Sequence, residues 1–365
     1  MSRVSVKSVT HVLWDGNVGG IERLVLDLAV AQIQADMDVT VVFGRASGPM
    51  HQALESSGAR VIDLSLRSGH DLRPSRIRAG FTALRTADVV HLHGFNPAFG
   101  AICVLARRPV VFTEHGNFGL GRKLGRAERL KRRLQGQFLE RAVARVAANS
   151  RHTAGRVAET YGLDISSVEV VHNGTELSRS SGKRIGTDVL RVVFLGRLVP
   201  FKRVDRVLEG LAQAARRARM HLEIVGEGPM ENDLRALAAA LGVEDRVAFL
   251  GRRDDVRAIL GSADVLVLPS ENEPFGLAIL EACACGALPV VFADGGGALE
   301  ALPPDGLVVE TAAELGEALD DLLESQSTSA EARHRRRDWV EEHFPIGVTM
   351  NRYAELYESI SREQP

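Results

Sequence analysis

Cysteine is scarce in this sequence. Among 365 residues only Cys103, Cys283 and Cys285 occur, an odd number with no spacing typical of a disulfide framework or a zinc site. Cys283 and Cys285 are also too close for the usual zinc pattern, and on a helix their side chains would diverge. We therefore expect the cysteines to be small buried residues.

Long apolar runs are also missing. No stretch approaches the roughly 20 apolar residues that span a bilayer, and residues 1–10 lack the apolar core and cleavage site of a secretory signal. A content of 45% hydrophobic and 25% charged residues is typical of a soluble globular protein rather than a disordered one. We expect the protein to stay in the cytoplasm.

Net charge is small, at a formal value of -2, and gives no reason to expect nucleic acid as a partner. One segment concentrates positive charge: Arg122, Lys123, Arg126, Arg129, Lys131, Arg132 and Arg133. A solvated helix face is the ordinary interpretation. Our sharper hypothesis is that this segment attracts an anionic acceptor or binds an anionic membrane, peripherally at its inner face.

What the sequence does contain is an alternation of short β-rich apolar segments with longer segments of helical period. The predicted strands are residues 9–14, 39–43, 60–64, 89–93, 110–113 and 143–147, then 190–195, 220–225, 247–250, 265–268 and 288–292. This alternation is typical of βαβ units in parallel sheets. Because 365 residues exceed what one core usually supports, we predict two α/β domains, each a doubly wound sheet.

A polar segment without apolar periodicity, residues 175–188, separates the two sets of strands and predicts the linker. We place the first domain at residues 1–178 and the second at residues 186–345. Residues 346–365 contain a last apolar-periodic stretch, which we expect to form a C-terminal helix that crosses back to the first domain.

Candidate binding residues follow the predicted strands, since doubly wound folds bind ligands beyond the carboxyl ends of their strands. The first loop ends in Gly19 and Gly20 before a helix, which favours an anion because free amides and the helix dipole point the same way. A tight turn without a ligand is the alternative. In the second half, Arg197 and Lys202 follow a strand and offer two cations to a phosphate leaving group. The alternative is that both are solvated surface charges that bind no ligand.

The most specific segment is residues 269–281, PSENEPFGLAILE. Glu273 is expected in a loop and Glu281 in the following helix, so two carboxylates about two turns apart would reach different parts of one elongated ligand. Amides at the start of this helix would face a phosphate; they belong to Gly276, Leu277 and Ala278.

Further short motifs surround the pair Glu273 and Glu281, which have the spacing E-x(7)-E. In the second half these are Gly196-Arg197-Leu198 with Lys202 and Asp205, Gly226-Glu227-Gly228-Pro229, Phe249-Leu250-Gly251, Gly286 with Pro289, and Gly296-Gly297 with Glu300. In the first half they are Gly19-Gly20-Ile21-Glu22, His91-Leu92-His93, Thr113-Glu114-His115-Gly116, Asn149-Ser150 and Asn173-Gly174. In this order they resemble, over nearly the whole chain, the retaining GT-B glycosyltransferases of the family-4 class, the glycosyl transferases group 1.

The resemblance implies a GT-B fold, in which two facing Rossmann-like domains enclose a cleft. The first domain would bind the acceptor and the second the sugar nucleotide. The implied reaction moves a sugar from a UDP- or GDP-linked donor to a hydroxyl of a glycan, a lipid-linked intermediate or a small metabolite. It would retain the anomeric configuration by front-face attack, with no protein nucleophile, metal or other cofactor.

The resemblance also implies residue roles. Arg197 and Lys202 would contact the donor diphosphate, Glu273 the sugar hydroxyls and Glu281 the ribose. His115 would lie beside the transferred sugar, and it counts as catalytic together with Arg197, Lys202 and Glu273. The other implied donor contacts are Gly19, Gly20, Gly226, Gly251, Arg252, Phe275, Gly276, Leu277 and Ala278.

The acceptor contacts are predicted to be His93 and Asn117. We expect only one of His91 and His93 to face the ligand, and we choose His93 because it is nearer the end of its strand. A purely structural role stays open for His93, and a lone histidine after a strand, such as His115, is in general more often structural than catalytic.

Two features depart from the simplest interpretation. Arg203 stands where a glycine is common in the family, so it would alter the phosphate loop or add a cation. Asp36 and Asp38 have the D-x-D spacing that metal-dependent transferases use. They follow a helix and precede a strand, at the wrong end of the sheet for a ligand, and we interpret them as turn residues.

Two other functions remain open. A GT-B fold also supports sugar-nucleotide epimerases, because a fold does not fix a reaction. An inert sugar-nucleotide-binding protein is the second alternative, against which the complete set of predicted site residues argues.

Overall fold

The computed structural model describes residues 6–17, 19–45, 48–116, 125–176 and 188–362. The chain forms two compact units, Met1–Glu176 with Ile346–Pro365 and Leu177–Pro345. Each unit contains one parallel sheet with helices. The predicted fold class of two Rossmann-like α/β domains is confirmed.

The first unit contains a seven-stranded parallel sheet with the order β3-β2-β1-β4-β5-β6-β7. Its strands are β1 Ser8–Asp15, β2 Asp38–Arg45, β3 Arg60–Asp63, β4 Val89–Leu92, β5 Val110–Glu114, β6 Arg145–Ala148 and β7 Val168–Val170. Its helices are α1 Gly20–Gln34, α2 Pro49–Ser56, α3 Pro74–Leu84, α4 Pro97–Ala106, α5 Arg126–Ala142, α6 Arg151–Tyr161 and, from the end of the chain, α13 Ile346–Arg362.

The second unit contains a six-stranded parallel sheet with the order β10-β9-β8-β11-β12-β13. Its strands are β8 Leu190–Leu195, β9 Met220–Val225, β10 Val247–Gly251, β11 Val265–Leu268, β12 Leu288–Phe292 and β13 Leu307–Val309. Its helices are α7 Val204–Gln213, α8 Glu231–Ala240, α9 Val256–Ser262, α10 Leu277–Ala284, α11 Ala312–Leu322 and α12 Ala330–His343.

The central strands have nearly continuous apolar sequences because both of their faces are covered. β11 reads VLVL and β12 reads LPVVF, and every residue of both is buried. Strands of parallel sheets have this composition since helices pack on either side. In each sheet the strand order reverses once, between β1 and β4 and between β8 and β11. Ligands of such folds bind at this reversal, outside the carboxyl ends of the strands.

Helix α13 belongs to the first unit although it ends the chain. The amide of Ile346 donates to the carbonyl of Thr175 at 3.1 Å. Tyr353, Tyr357 and Ile360 are buried in the core formed around β1, β2 and α1. Two tyrosine rings from the end of the chain therefore pack in the core of the first sheet. None of the helices in the described ranges has the length and apolar composition that a membrane span requires.

Candidate functional site

An ion pair joins the two loops at the strand reversal of the second sheet. Nζ of Lys202 lies 2.7 Å from Oε2 of Glu273, and the side chains are only 14% and 10% exposed. Lys202 ends the short 3-10 helix Pro200–Lys202 that follows β8, and Glu273 lies in the loop that follows β11. Two of the predicted catalytic side chains are therefore in direct contact.

Backbone hydrogen bonds fix Glu273 in this position. Its amide donates to the carbonyl of Gly295 at 3.1 Å, and its carbonyl accepts from the amide of Gly297 at 2.8 Å. The neighbouring amide of Glu271 donates to the carbonyl of Phe201 at 2.8 Å. These bonds connect the loops that follow β8, β11 and β12, so the carboxylate is held by a rigid frame.

Arg197 stands in the same β8 loop but has a different environment. Its side chain is exposed, and in the described part of the chain it forms no hydrogen bond or ion pair. Arg206, by contrast, lies 2.7 Å from Asp294 through each of its two terminal nitrogens. Arg197 thus leaves a planar set of donors available to an anion, as its predicted role requires.

Close backbone contact explains the glycines of the β9 loop. A Cβ atom on Gly226 would lie 1.9 Å from the carbonyl oxygen of Gly196, and one on Gly228 would lie 2.3 Å from that of Leu198. The amide of Gly226 also donates to the carbonyl of Gly251, at 2.8 Å. Gly226 and Gly251 therefore bring the loops after β8, β9 and β10 together.

Arg252, which directly follows Gly251, is exposed, and its amide donates to Oε1 of Glu227 at 3.3 Å. The β9 and β10 loops are therefore also joined through a side chain. In this arrangement the Arg252 guanidinium stays at the surface of the unit.

Helix α10 begins where the sequence predicts. Gly276 precedes it with a φ of 86°, a left-handed conformation that glycine adopts without strain. Leu277, Ala278 and Glu281 are half-buried, and the first amides of any helix lack intrahelical partners. Phe275 is different, because its ring is only 1% exposed and packs in the core against another ring. Its side chain is a core residue, and only its backbone is available to a ligand.

Arg203 has the left-handed conformation that explains the glycine common at this position. Its φ is 47° and its ψ is 43°, which costs a residue with a side chain about 1–2 kcal/mol. Its guanidinium lies 2.9 Å from Oδ2 of Asp205. The cation is therefore neutralised within its own loop rather than added to the pair Arg197 and Lys202.

A carboxylate from the first turn of helix α1 lies against the predicted anion loop of the first unit. Gly19 precedes helix α1 and Gly20 is its first residue. A Cβ atom on Gly19 would lie 2.4 Å from Oε2 of Glu22, so the Glu22 side chain folds against the helix start. A phosphate bound at these amides would require the Glu22 side chain to move.

The predicted histidines of the first unit meet in one buried cluster. His115 follows β5, and its Nε2 lies 3.0 Å from Nδ1 of His93. The rings of His91 and His93 are 3.9 Å apart between centroids. The premise that one of these two side chains must turn away from the other is wrong, because residues two apart on a strand point to the same face.

His11 of β1 joins this cluster. Its Nδ1 lies 2.9 Å from Nε2 of His93, and its Nε2 lies 2.8 Å from Oε1 of Gln32. His91 contacts Tyr357 Oη at 2.6 Å and Thr113 Oγ1 at 2.8 Å. Every ring nitrogen of His11, His91 and His93 therefore has a partner.

Burial keeps these rings neutral. Loss of solvent lowers the pKa of His11 and of His115 to about 4. It lowers the pKa of His91 and His93 well below the ordinary value, and the neighbouring imidazoles add to this effect. At neutral pH the cluster is therefore a hydrogen-bonded set of uncharged rings, and His115 can act as a neutral donor or acceptor.

The nitrogens of His11, His91 and His93 lie within 4.8 Å of one another and form a candidate metal site. Imidazole is a common zinc ligand. All six nitrogens are already hydrogen bonded to protein groups, so a cation would have to displace several of these bonds. Metal independence stays a prediction.

Sequence reasoning missed the partners that assemble the cluster. His11, Gln32, Tyr353 and Tyr357 come from β1, α1 and α13 and carry no motif of their own. One usable signal was the alternation of side chains along a strand, which places His91 and His93 on one face.

Other predicted residues lie elsewhere. Asp36 and Asp38 are both exposed. Asp36 lies in the turn after α1 with a φ of 59°, so its predicted placement in a turn is confirmed, whereas Asp38 is the first residue of β2. The three cysteines are free and buried, as expected, and burial raises the pKa of Cys103 to about 12. Asn117 lies outside the described residues.

The basic segment is described only from Gly125 onward, so Arg122 and Lys123 lie outside the described residues. Its remainder belongs to α5. Leu130 and Leu134 on this helix are 60% and 57% exposed, among the exposed cations Arg126, Arg129, Lys131 and Arg133. The helix therefore presents both apolar and positively charged groups to solvent.

Comparisons with known proteins show the family to which this sequence belongs. Residues 179–340 match the family described as glycosyl transferases group 1, and residues 18–179 match the family described as glycosyltransferase family 4. The chain is 31% identical over 341 residues to a D-inositol 3-phosphate glycosyltransferase of Salinispora tropica, covering 80% of this chain and 70% of that relative.

A second relative is a GDP-mannose:cellobiosyl-diphosphopolyprenol alpha-mannosyltransferase of Xanthomonas oryzae pv. oryzae. It is 28% identical over 368 residues, covering 91% of this chain and 93% of the relative. Among solved structures, Anabaena Alr3699/HepE in complex with UDP and glucose has a TM-score of 0.81 at 20% identity, covering 97% of this chain and 100% of that chain. This structural likeness is one of fold.

Proposed function

Since the chain belongs to glycosyltransferase family 4, among the glycosyl transferases group 1, we propose that it is a retaining, metal-independent enzyme that uses a nucleotide-diphosphate sugar. Its donor would be a UDP- or GDP-linked sugar. The acceptor would be a hydroxyl of a glycan, a lipid-linked intermediate or a small metabolite. The observation that carries the proposal is that the loop after β8 contains both Arg197, whose exposed guanidinium has no hydrogen-bond partner among the described residues, and Lys202 in its ion pair with Glu273.

The second unit would hold the donor. Arg197 would contact the diphosphate directly, and Lys202 would use the N–H donors that its bond to Glu273 leaves free. The first amides of α10, at Leu277 and Ala278, add partial positive charge. Glu281 lies two turns further along the helix and would accept bonds from the ribose. The names of the relatives support a UDP or GDP donor, because one uses GDP-mannose and a solved neighbour binds UDP.

The proposed reaction breaks the bond between the anomeric carbon and the diphosphate oxygen. The acceptor oxygen attacks from the same face, so a new bond replaces the old one with retention. The acceptor proton moves to the departing diphosphate, whose charge Arg197 and Lys202 stabilise. Such fixed charges lower a barrier most when they act on the charge that develops in the transition state.

Glu273 would accept hydrogen bonds from hydroxyls of the transferred sugar. Carboxylate oxygens are acceptors for such hydroxyl donors. His115, in the first unit, would offer a neutral acceptor or donor to a sugar hydroxyl. The predicted acceptor contact His93 uses both of its ring nitrogens inside the protein, which supports a role in holding His115 instead.

The exposed leucines of α5 support a second proposal, that this helix binds an anionic membrane surface. A basic helix that also exposes Leu130 and Leu134 has both components of interfacial binding, electrostatic attraction and apolar burial. Such binding would bring the enzyme close to a lipid-linked acceptor.

Product analysis tests the main proposal. The purified chain is incubated with UDP- and GDP-sugars and candidate acceptors, with and without EDTA, and nucleotides and sugars are separated. We expect release of UDP or GDP together with an α-linked glycoside from an α-linked donor, undiminished by EDTA. Isomerised sugar nucleotide without release would instead identify an epimerase, and binding without turnover would identify an inert binding protein. Loss of activity in EDTA, restored by a divalent cation, would disprove metal independence.

A further inference from the structure

Four side chains of the first unit form one continuous line of hydrogen bonds. Oε1 of Gln32, in the last turns of α1, lies 2.8 Å from Nε2 of His11. Nδ1 of His11 lies 2.9 Å from Nε2 of His93. Nδ1 of His93 lies 3.0 Å from Nε2 of His115. The line runs from α1 through β1 and the residue that directly follows the adjacent strand β4 to the loop after β5.

Because each ring carries one N–H proton, the hydrogen bonds of this line must all be donated in the same direction. Each ring is neutral at pH 7, because burial holds its pKa well below the ordinary value. A neutral imidazole has one N–H donor and one acceptor nitrogen. His11 and His93 use both nitrogens within the line, so the position of the proton on one ring fixes its position on the next.

Gln32 decides which of the two directions is adopted. Its Oε1 can only accept, so Nε2 of His11 carries the proton and Nδ1 of His11 accepts from Nε2–H of His93. Nδ1 of His93 then accepts from Nε2–H of His115. We propose that Gln32 is a positioning residue that, through three hydrogen bonds, holds His115 in the Nε2–H tautomer with a lone pair at Nδ1.

The neighbouring histidine does not impose a direction. His91 bonds to the hydroxyls of Tyr357 and Thr113, and a hydroxyl can either donate or accept. Both tautomers of His91 are therefore compatible with its surroundings. The amide of Gln32 is the one group of the line whose contacting atom has a fixed role.

The tautomer matters for the reaction, and this step rests on the proposed function. In the described part of the chain, Nδ1 of His115 has no hydrogen-bond partner. As a lone pair it accepts a hydrogen bond from a sugar hydroxyl, whereas the opposite tautomer would present an N–H group instead. Gln32 thereby determines whether His115 offers a hydrogen-bond acceptor or a donor to the substrate, although Gln32 itself does not contact the substrate.

Nitrogen-15 NMR of the histidine side chains tests the proton positions in the full chain without any substrate. We expect Nε2–H at His11, His93 and His115. An Nδ1–H form of any of these rings in the unchanged protein would overturn the proposal, and it is the result expected if the Gln32 amide presented its nitrogen to His11. This reading does not depend on whether any variant folds.

Variants at Gln32 extend the test to turnover. Gln32→Leu removes the acceptor, so an Nδ1–H population should appear at His115 and kcat should fall about tenfold, the effect of one neutral hydrogen bond, with little change in KM for the donor. Gln32→Met keeps a sulfur that only accepts and should retain the Nε2–H tautomer and more of the activity.

Tyr353→Phe is the matched control. It removes a buried hydroxyl that lies 3.3 Å from Thr113 Oγ1, outside the line, and should leave the tautomers unchanged. A Gln32→Leu protein in which His115 stays wholly Nε2–H would contradict the proposal. Expected tautomers without any glycosyl transfer would instead refute the proposed function and leave the role of Gln32 intact.

Discussion

The ammonium group of Lys202 lies 2.7 Å from the carboxylate of Glu273, although 71 residues separate them in sequence. The two side chains neutralise each other where the loops after β8 and β11 meet. A largely buried pair of this kind is costly to break from one side, because the remaining charge loses its partner. The pair therefore places a cation and an anion side by side at the ends of these strands.

Removing either partner should reduce turnover strongly. We expect Lys202→Ala and Glu273→Ala each to lower kcat/KM about 10²–10³-fold, the usual effect of losing one group that stabilises transition-state charge. Arg235→Ala is the control, because Arg235 pairs with Glu231 on the surface of α8 and should be neutral. Circular dichroism and the unfolding midpoint verify the fold. Wild-type turnover in both site variants would refute the assignment.

The backbone at Arg203 predicts a stabilising substitution. Arg203→Gly should relieve the left-handed φ of 47° and raise the free energy of unfolding by about 1 kcal/mol. Arg203→Ala loses the same bond to Asp205 but keeps the strained conformation, so it should not be stabilising. Urea denaturation of the three proteins measures this difference. Equal urea midpoints for the glycine and alanine variants would show that the left-handed backbone at this position does not affect stability.

The buried histidines predict a loss of stability in mild acid. The folded pKa of His11 and His115 is about 4, below the value of about 6.5 expected in the unfolded chain. The unfolded state therefore binds more protons between these values. The stability that neutral rings contribute is complete above about pH 6.5 and falls as the pH drops toward 4, by up to about 1.4 kcal/mol per pH unit for each ring.

Denaturation at pH 7 and pH 5 measures this effect. His115→Asn should lose less stability over the interval than the wild type, since one titrating ring is gone. His334→Asn is the control, because His334 is exposed on α12, and it should follow the wild type. A wild-type protein that is as stable at pH 5 as at pH 7 would contradict the inference of neutral, desolvated rings.

Helix α5 predicts charge-dependent membrane binding. In vesicle sedimentation at low salt, the protein should partition onto vesicles containing anionic lipid and much less onto neutral ones. Arg129→Glu with Arg133→Glu should weaken this binding, by about 1 kcal/mol for each cation removed from the surface. The same double change at Arg235 and Arg253, two exposed cations of the second unit, should have little effect. Equal partitioning onto both vesicle types would exclude the electrostatic component.

Much of the fold could be predicted because buried parallel strands are encoded locally. The predicted segments 190–195, 220–225, 265–268 and 288–292 coincide with β8, β9, β11 and β12. Two edge strands, β7 and β13, were missed, since each has only three residues and shows too little periodicity to be recognised.

The candidate site likewise has residues that the sequence predicts and residues that it does not. Glu273 and Glu281 belong to one contiguous motif, so their loop and helix positions were predictable from sequence. The line of hydrogen bonds from Gln32 to His115 was not predictable, because its members come from four separate segments. Taken by itself, Gln32 looks like any other residue of a helix. The exclusion of one of His91 and His93 was an error in strand geometry, which the sequence itself could have corrected.

The proposed function requires that the loops of the second unit bind a nucleoside diphosphate through Arg197. Calorimetric titration with UDP and GDP tests this binding, using the wild type, Arg197→Ala and the control Arg235→Ala. We expect one of the two nucleotides to bind, with affinity about 10–100-fold lower in Arg197→Ala, the loss of a charge-assisted hydrogen bond, and unchanged in the control. Equal affinity of all three proteins, or binding of neither nucleotide, would contradict the claim.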